Sequence, residues 1–213
     1  MNKTRICIIR HGETDWNNER RIQGQIDIPL NESGHAQALA MAFNVAQHQD
    51  AFTAIYSSDL SRACATARAL ARICKMEVFE REDLRERHYG IFQGIAKDEA
   101  ESLYPEAYSL YSKRDVQYDF ESGESLIDFS QRVYSAFNWI ASRHRQENVA
   151  VICHAGLLDI MYRTANGSPL DAPRDFDIPN CALNWFHYDG KKWHLDAWDD
   201  HHYLSHVIME SVE

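Results

Sequence analysis

The chain has 213 residues, 45% of them hydrophobic, and a formal net charge of −10 at neutral pH. That length suits one domain with a full hydrophobic core, and we therefore predict a single domain over residues 1–213. The negative charge disfavours nucleic acid and anionic membranes as partners, and no apolar run reaches the length of a membrane span. The first residues lead almost at once into a predicted strand and leave no room for a signal peptide, and the five cysteines lack a metal-binding spacing. A cytoplasmic location is therefore predicted.

Strand-like and helix-like segments alternate along the chain, which is typical of an α/β fold with a mostly parallel sheet. The predicted order begins with strand 4–10, a polar loop to residue 30, helix 31–47, strand 52–57, helix 60–73 and strand 77–80. One or two short helices follow within 95–112, then helix 125–143, strand 149–153, helix 157–165 and a hairpin of strands 183–188 and 193–198 that turns at Asp189-Gly190. Asn31 and the pair Ser58-Asp59 are predicted to cap the helices that follow them. The last dozen residues are predicted to be surface or tail.

Conspicuous polar side chains stand where the predicted strands end. Arg10 and His11 follow the first strand, and Arg62 lies in the first turn of the helix after the second strand. Glu86 follows the short third strand, and His154 comes directly after strand 149–153. Because parallel strands bring their carboxyl ends to one edge of a sheet, we expect these side chains to share one crevice.

The chemistry of this set is coherent for attack on a phosphate ester. Two arginines can hold phosphate oxygens through charge-assisted hydrogen bonds. An imidazole between them can attack phosphorus and form a phosphohistidine that water hydrolyses, while a second, protonated histidine neutralises charge on the transferred group. A carboxyl group can protonate the leaving alkoxide and then deprotonate the incoming water. Nothing in the set requires a metal.

Each of these residues also has an ordinary structural explanation. A single histidine is more often structural than catalytic, and Glu86 lies in a charged run typical of a solvated surface. A cation in the first turn of a helix, as at Arg62, opposes the helix dipole and so favours an anionic partner. Considered together, the residues favour a phosphate site. Four further arginines are interpreted as solvated surface residues: Arg20, Arg21, Arg85 and Arg87.

The motif Arg-His-Gly-Glu-Thr at residues 10–14 resembles the signature of the histidine phosphatase superfamily, also called the phosphoglycerate mutase-like family. Further similarity covers nearly the whole chain in the expected order, at residues 16–17, 23–24, 29–34, 57–63, 84–86, 123–125 and 151–156. The resemblance implies a three-layer α/β/α sandwich whose mostly parallel sheet has one antiparallel edge strand. It also implies that residues 1–213 form a single histidine phosphatase domain.

The resemblance assigns roles to the residues that match the family's motifs. It makes His11 the phosphorylated nucleophile and Glu86 the proton donor, while Arg10, Arg62 and His154 complete the phosphate pocket. The implied substrate-binding positions also include Asn17, Gln23, Gly24, Tyr89 and Ala155. For Asn17 and Gln23, a role in capping the loop is an equal alternative. No metal and no cofactor is implied.

Two branches of the family compete for this chain. Tyr89 and Lys97 lie in a segment similar to the mutases, in which such residues help to bind phosphoglycerate. However, residues 154–156 are His-Ala-Gly where mutases usually have His-Gly-Asn, the longer mutase insertion is absent, and only residues 113–114 resemble the mutase arginine pair. A mutase must also shield its phosphoenzyme from water. We therefore favour a phosphatase acting on small phosphomonoesters, with a bisphosphoglycerate-dependent mutase as the alternative and an inactive phospho-ligand or protein-binding scaffold as the second.

Three other features suggest weaker hypotheses. Trp16, Tyr89 and Phe92 are candidates for the leaving-group side of the site, with core positions as the alternative. The aromatic hairpin with an exposed Trp198 is a candidate homodimer surface. A metal site among the C-terminal histidines is disfavoured against a solvated tail. Those histidines are His194, His201, His202 and His206.

Overall fold

The computed structural model describes residues 3–47 and 52–205 of the chain. Its strands are β1 (Thr4–Arg10), β2 (Ala54–Ser58), β3 (Val78–Arg81), β4 (Asn148–Cys153), β5 (Leu183–Tyr188) and β6 (Trp193–Asp200). They form one six-stranded sheet in the order β3-β2-β4-β1-β5-β6. The first four strands in this order run parallel, whereas β5 is antiparallel to both of its neighbours. The predicted, mostly parallel sheet is confirmed, and its antiparallel part is the hairpin at one edge.

Helices cover both faces of this sheet. They are α1 (Asp15–Asn18), α2 (Glu32–Gln47), α3 (Ser61–Cys74), α4 (Lys97–Leu103), α5 (Pro105–Ser112), α6 (Leu126–Arg143) and α7 (Ala155–Asn166). Side chains of a strand alternate between the two faces. Cys7 and Ile9 of β1 accordingly pack with α2 and α3, whereas Ile6 and Ile8 pack with α6 and α7. The three-layer α/β/α sandwich is therefore confirmed.

The predicted elements are present, with bounds that differ by one or two residues, and the short α1 lies inside the predicted loop. The Asn31 side chain caps α2 as expected, since its Oδ1 accepts a hydrogen bond of 2.8 Å from the Gly34 amide. The predicted Ser58-Asp59 cap of α3 is wrong. The Ser61 amide and hydroxyl both donate to Asp27 Oδ1 at 2.8 Å, and the carboxylate of Asp59 pairs with Arg85 instead.

A small third cluster of apolar side chains supports α4 and α5 beside the sheet. Phe92 and Phe120 are fully buried there, with ring centroids 5.3 Å apart. Tyr89 and Tyr111 pack their rings edge-on against the same pair. The hypothesis that Phe92 lines the substrate site is thus wrong, because its ring is part of this core.

The C-terminal part of the described chain also departs from expectation. Trp198 is half-buried rather than exposed, because its ring packs at 4.7 Å from Tyr162 and 5.4 Å from Phe176. Its own chain therefore covers much of the aromatic surface that was considered for a homodimer. Leu204 is buried under α2, so the predicted surface tail is wrong at that residue.

The C-terminal histidines that the structure describes pair with aspartates: His194 with Asp189, His201 with Asp199 and His202 with Asp200. His206 lies outside the described residues. Within the described ranges, no group of three or more histidine, cysteine or acidic side chains could hold a metal ion. None of the helices described combines the length and the apolar character that crossing a bilayer requires.

Candidate active site

A cavity of about 760 Å³ opens where the parallel strands end. Nine of the ten predicted site residues line it: Arg10, His11, Asn17, Gln23, Gly24, Arg62, Glu86, Tyr89 and Ala155. His154, the tenth, is completely buried behind His11, and the centroids of the two imidazole rings are 5.1 Å apart. We use "phosphate pocket" for Arg10, His11, Arg62, Glu86 and His154. Trp16 is half-buried beside Arg21, 5.7 Å from its guanidinium, and is not among the described lining residues.

The loop after β1 sets the orientation of the His11 ring. The Nδ1 atom of His11 lies 2.7 Å from the carbonyl oxygen of Gly12. Because a carbonyl oxygen can only accept a hydrogen bond, Nδ1 carries the proton and Nε2 keeps its lone pair. The main chain of His11 is held on both sides, since its amide donates to Cys153 and its carbonyl accepts from the Asn180 side chain. The ring is therefore fixed as the tautomer that can act as a nucleophile through Nε2.

Two buried arginines flank this histidine. The Arg62 guanidinium donates to the carbonyl oxygens of Ile26 at 2.9 Å and Gly24 at 2.8 Å, and Arg10 donates to that of Ile178 at 2.7 Å. The Nε atoms of both arginines are buried and have no partner among the described residues. Burial lowers the pKa of each guanidinium to about 10, so both remain charged at neutral pH. These unsatisfied, charged donors are what an anion requires.

Both histidines of the phosphate pocket are held neutral in this structure. Burial, followed by the charges of Arg62 and Arg10, lowers the pKa of His11 well below its usual value. Burial and then Arg62, His11 and Arg10 do the same to the pKa of His154. His154 is therefore neutral in the pocket without an anion, and the protonated form expected beside a transferred phosphoryl group stays a prediction. A phosphate dianion placed beside the ring would favour the protonated form.

These two buried histidines predict a dependence of stability on pH. The pKa of an unfolded histidine is about 6.5, so below that pH the unfolded chain binds protons that the folded chain does not. The free energy of unfolding should then fall as pH falls, by about 1.4 kcal/mol per pH unit for each such histidine. In denaturant titrations, His154→Asn should make this slope shallower by about half of that amount near about pH 6.5 and by nearly all of it near about pH 5. His35→Asn, at an exposed position of α2, is the matched control. Equal slopes for His154→Asn and wild type would contradict the prediction.

Glu86 reaches the phosphate pocket at the start of α7. Its Oε1 accepts from the Arg87 amide at 2.8 Å, and its Oε2 accepts from the Gly156 amide at 3.0 Å. A Cβ atom on residue 156 would collide with Glu86 Oε1, so only glycine allows this approach. Burial lowers the pKa of Arg10 and Arg62, and the charge of Glu86, which lines the same cavity, opposes that shift at both arginines.

Asn17 and Gln23 have the capping role that was one of two alternatives for them. The Asn17 side chain accepts a hydrogen bond of 3.1 Å from the Thr14 amide and so closes a capping box at α1. Gln23 Nε2 donates to the hydroxyl of Thr14 at 2.7 Å, while Gln23 Oε1 is buried without a partner in the described chain. Both side chains line the cavity as well. The capping interpretation is therefore confirmed, and contact with a ligand stays a prediction.

Sequence reasoning missed several cations of this cavity. Arg87 was interpreted as a surface residue, but it is only 7% exposed and donates to the carbonyl oxygens of Glu124 and Tyr118. Arg21 is half-buried and donates to the Gly94 carbonyl at 2.6 Å. The surface interpretation is thus wrong for Arg87 and incomplete for Arg21. The lining residues also include Lys97, Arg114 and Arg174.

Comparison with known proteins identifies this combination of fold and side chains. A family model described as the histidine phosphatase superfamily (branch 1) matches residues 6–201, and the chain belongs to that superfamily. It is 39% identical over 205 residues to phosphoglycerate mutase-like protein 4 of Arabidopsis thaliana, which covers 95% of this chain and 86% of that protein. It is also 39% identical over 207 residues to the metal-independent phosphoserine phosphatase of Arabidopsis thaliana, with 96% and 84% covered. A solved mycobacterial glucosyl-3-phosphoglycerate phosphatase has a TM-score of 0.80 and 28% identity, with 93% of this chain and 99% of that chain covered.

Proposed function

We propose that this protein hydrolyses small phosphomonoesters, without a metal, through a phosphohistidine at His11. The observation that carries the proposal is the His11 ring, which presents an unprotonated Nε2 to a cavity in which Arg10 and Arg62 hold buried, unpaired donors. Two relatives named as phosphatases, described above, support hydrolysis as the overall reaction.

In the first step, Arg10 and Arg62 bind the phosphate oxygens and align phosphorus with His11. His11 Nε2 forms the new bond to phosphorus while the bond between phosphorus and the ester oxygen breaks. Glu86 gives its proton to the departing oxygen. The Nδ1 proton, held by the Gly12 carbonyl, stabilises the positive charge that the phosphorylated imidazole carries.

In the second step, water attacks phosphorus and the bond to Nε2 breaks, which returns His11 to its starting state. Glu86 takes the proton of the attacking water, so it is again ready to act as an acid. Inorganic phosphate then leaves the two arginines. The Glu86 carboxyl group serves both steps from one position, because the Arg87 and Gly156 amides hold its two oxygens.

The mutase alternative is less well supported. Tyr89 and Lys97 do line the cavity, as the mutase hypothesis requires. Arg114, however, donates to Asp159 at 2.7 Å and to the Leu170 carbonyl at 2.9 Å, so its guanidinium is already engaged. An inactive scaffold is disfavoured because a nucleophile, two cations and a carboxyl group meet in one cavity.

The proposal extends to the whole chain and its location. We propose that residues 1–213 form one histidine phosphatase domain, supported by a family match that covers residues 6–201. A cytoplasmic location is part of the same proposal, and it is supported by the five cysteines, all of which are free.

The decisive experiment is turnover of an aryl phosphate in the presence of a chelator, combined with acid-free quenching of a labelled ester. We expect full activity with the chelator and a base-stable, acid-labile phosphoryl group on the protein. Loss of activity with the chelator, restored by metal, would contradict the metal-independent route. Interconversion of 2- and 3-phosphoglycerate that bisphosphoglycerate stimulates, faster than release of phosphate, would instead establish the mutase.

A further inference from the structure

The cavity extends well beyond the phosphate pocket. Its volume of about 760 Å³ falls in the range of sites that enclose a whole small ligand. Seven arginine or lysine side chains and five acidic ones are among its described lining residues, although the net charge of the chain is −10. The part outside the phosphate pocket therefore has both the room and the charge to bind the leaving group of an ester.

Most of the outer cations are already paired. Arg114 binds Asp159, which also accepts a hydrogen bond from the buried Arg163. Arg87 donates to two carbonyl oxygens, and Arg21 donates to a carbonyl and to Glu19. The polar groups of these three side chains are already engaged within the protein, so the side chains serve mainly as walls of the cavity.

Lys97 and Arg174 differ from this group. Both line the cavity, and neither the Lys97 ammonium nor the Arg174 guanidinium forms a hydrogen bond or ion pair within the described residues. Burial lowers the pKa of both Lys97 and Arg10, and the charge of Arg174 lowers both further, as expected for cations that line the same cavity. Glu86 offsets part of this repulsion at Arg10, whereas the Lys97 and Arg174 side chains form no ion pair with a carboxylate of the described residues.

The loop between α7 and β5 holds Arg174 in place. Before Arg174, the carbonyls of Pro169 and Leu170 accept hydrogen bonds from Arg163 and Arg114. After it, the Ile178 carbonyl accepts from Arg10 at 2.7 Å, so a residue of the phosphate pocket anchors the same loop. Arg174 itself is exposed, but the loop that carries it is fixed at both ends.

We propose that Arg174, together with Lys97, binds an anionic group on the leaving part of the substrate, either a carboxylate or a second phosphate. Arg174 then determines which phosphomonoesters this protein prefers. The inference rests on the proposed phosphatase reaction, because it concerns the part of the substrate that leaves when the ester bond breaks. Arg114, by contrast, serves as a support for the loop that carries Arg174.

Three substrates that differ mainly in the charge at one end test this proposal. 3-Phosphoglycerate carries a carboxylate where glycerol 3-phosphate carries a hydroxymethyl group, and glycerol 1,3-bisphosphate carries a second phosphate. Wild type should show a higher kcat/KM for at least one of the two anionic esters than for glycerol 3-phosphate. Arg174→Gln should lower kcat/KM for that ester by about 10- to 100-fold, since hydrogen bonds to charged groups have that strength. Its effect on glycerol 3-phosphate should stay below about threefold, and Arg174→Lys should recover part of the loss.

Arg20→Gln is the matched control, because Arg20 also lowers the pKa of Lys97 but is not among the described residues that line the cavity. It removes one positive charge nearby and should leave the ratio between the substrates unchanged. An equal loss of kcat/KM for the anionic ester in Arg20→Gln and Arg174→Gln would overturn direct contact with Arg174. It would show that the overall positive charge near the cavity causes the preference. Equal use of all three esters by the wild type would overturn the inference and leave the phosphatase reaction intact. Failure to hydrolyse any ester, an aryl phosphate included, would overturn the proposed function itself.

Discussion

His11→Ala is expected to lower kcat/KM for every phosphomonoester by on the order of 10⁴-fold or more, because removal of a covalent nucleophile leaves only binding and electrostatic stabilisation. The phosphoryl group trapped on the wild-type protein should be absent from this variant. The measurement is steady-state turnover combined with quench trapping. The matched control is His35→Ala, which removes an exposed imidazole of α2 that is not among the described lining residues and should keep wild-type activity.

A second readout separates lost chemistry from lost folding in His11→Ala. Arg10 and Arg62 remain, and their unpaired Nε atoms are still available to an anion. Inorganic phosphate should therefore raise the melting temperature of the variant, because a ligand that binds only the folded state stabilises that state. Activity within tenfold of wild type would show that another group attacks phosphorus.

Glu86→Gln should have an effect that depends on the leaving group. Alkyl phosphates release a strongly basic oxygen that needs a proton, so their kcat should fall by about 10²- to 10⁴-fold, the usual range for general acid catalysis. A nitrophenyl phosphate, whose leaving oxygen needs little protonation, should lose far less in the first step. Equal losses for both substrates would contradict the role of Glu86 as proton donor.

Two variants sharpen the Glu86 measurement. Glu82→Gln is the control, since the Glu82 side chain is 80% exposed on a neighbouring turn and should have no effect. Gly156→Ala places a methyl group where Glu86 Oε1 lies, so it should reproduce the same dependence on the leaving group. In the double variant with Glu86→Gln, the two losses should not add, because both act through one carboxyl group.

The phosphate pocket was predictable because its members follow strand ends. Buried parallel strands are recognisable as short apolar runs, and Arg10, His11 and His154 come directly after two of them. Arg62 and Glu86 follow from the same rule, since the sheet edge gathers the residues after each strand. The lowered pKa of His154 was not predicted, because complete burial and a fixed pair of arginines cannot be inferred from spacing.

What escaped prediction depends on contacts between distant parts of the chain. The cap of α3 comes from Asp27, 34 residues before Ser61, and no local pattern indicates it. Arg87 lies in a charged run typical of a surface, but its burial depends on carbonyl groups more than 30 residues later. Arg174 lies in a segment without periodicity or motif, and only the bonds that close its loop bring it to the cavity.

The hydrogen bonds of Arg114 and Arg163 hold together a part of the cavity wall that is separate from the reactive groups. The reactive groups lie at the edge of the sheet, whereas part of the outer wall comes from the segment after α5 and the loop after α7. Arg114, Asp159 and Arg163 join these two segments. These wall segments can therefore change during evolution without a change in the residues that break the ester bond. Related proteins can thus differ in the substrate they accept while the bond that they hydrolyse stays the same.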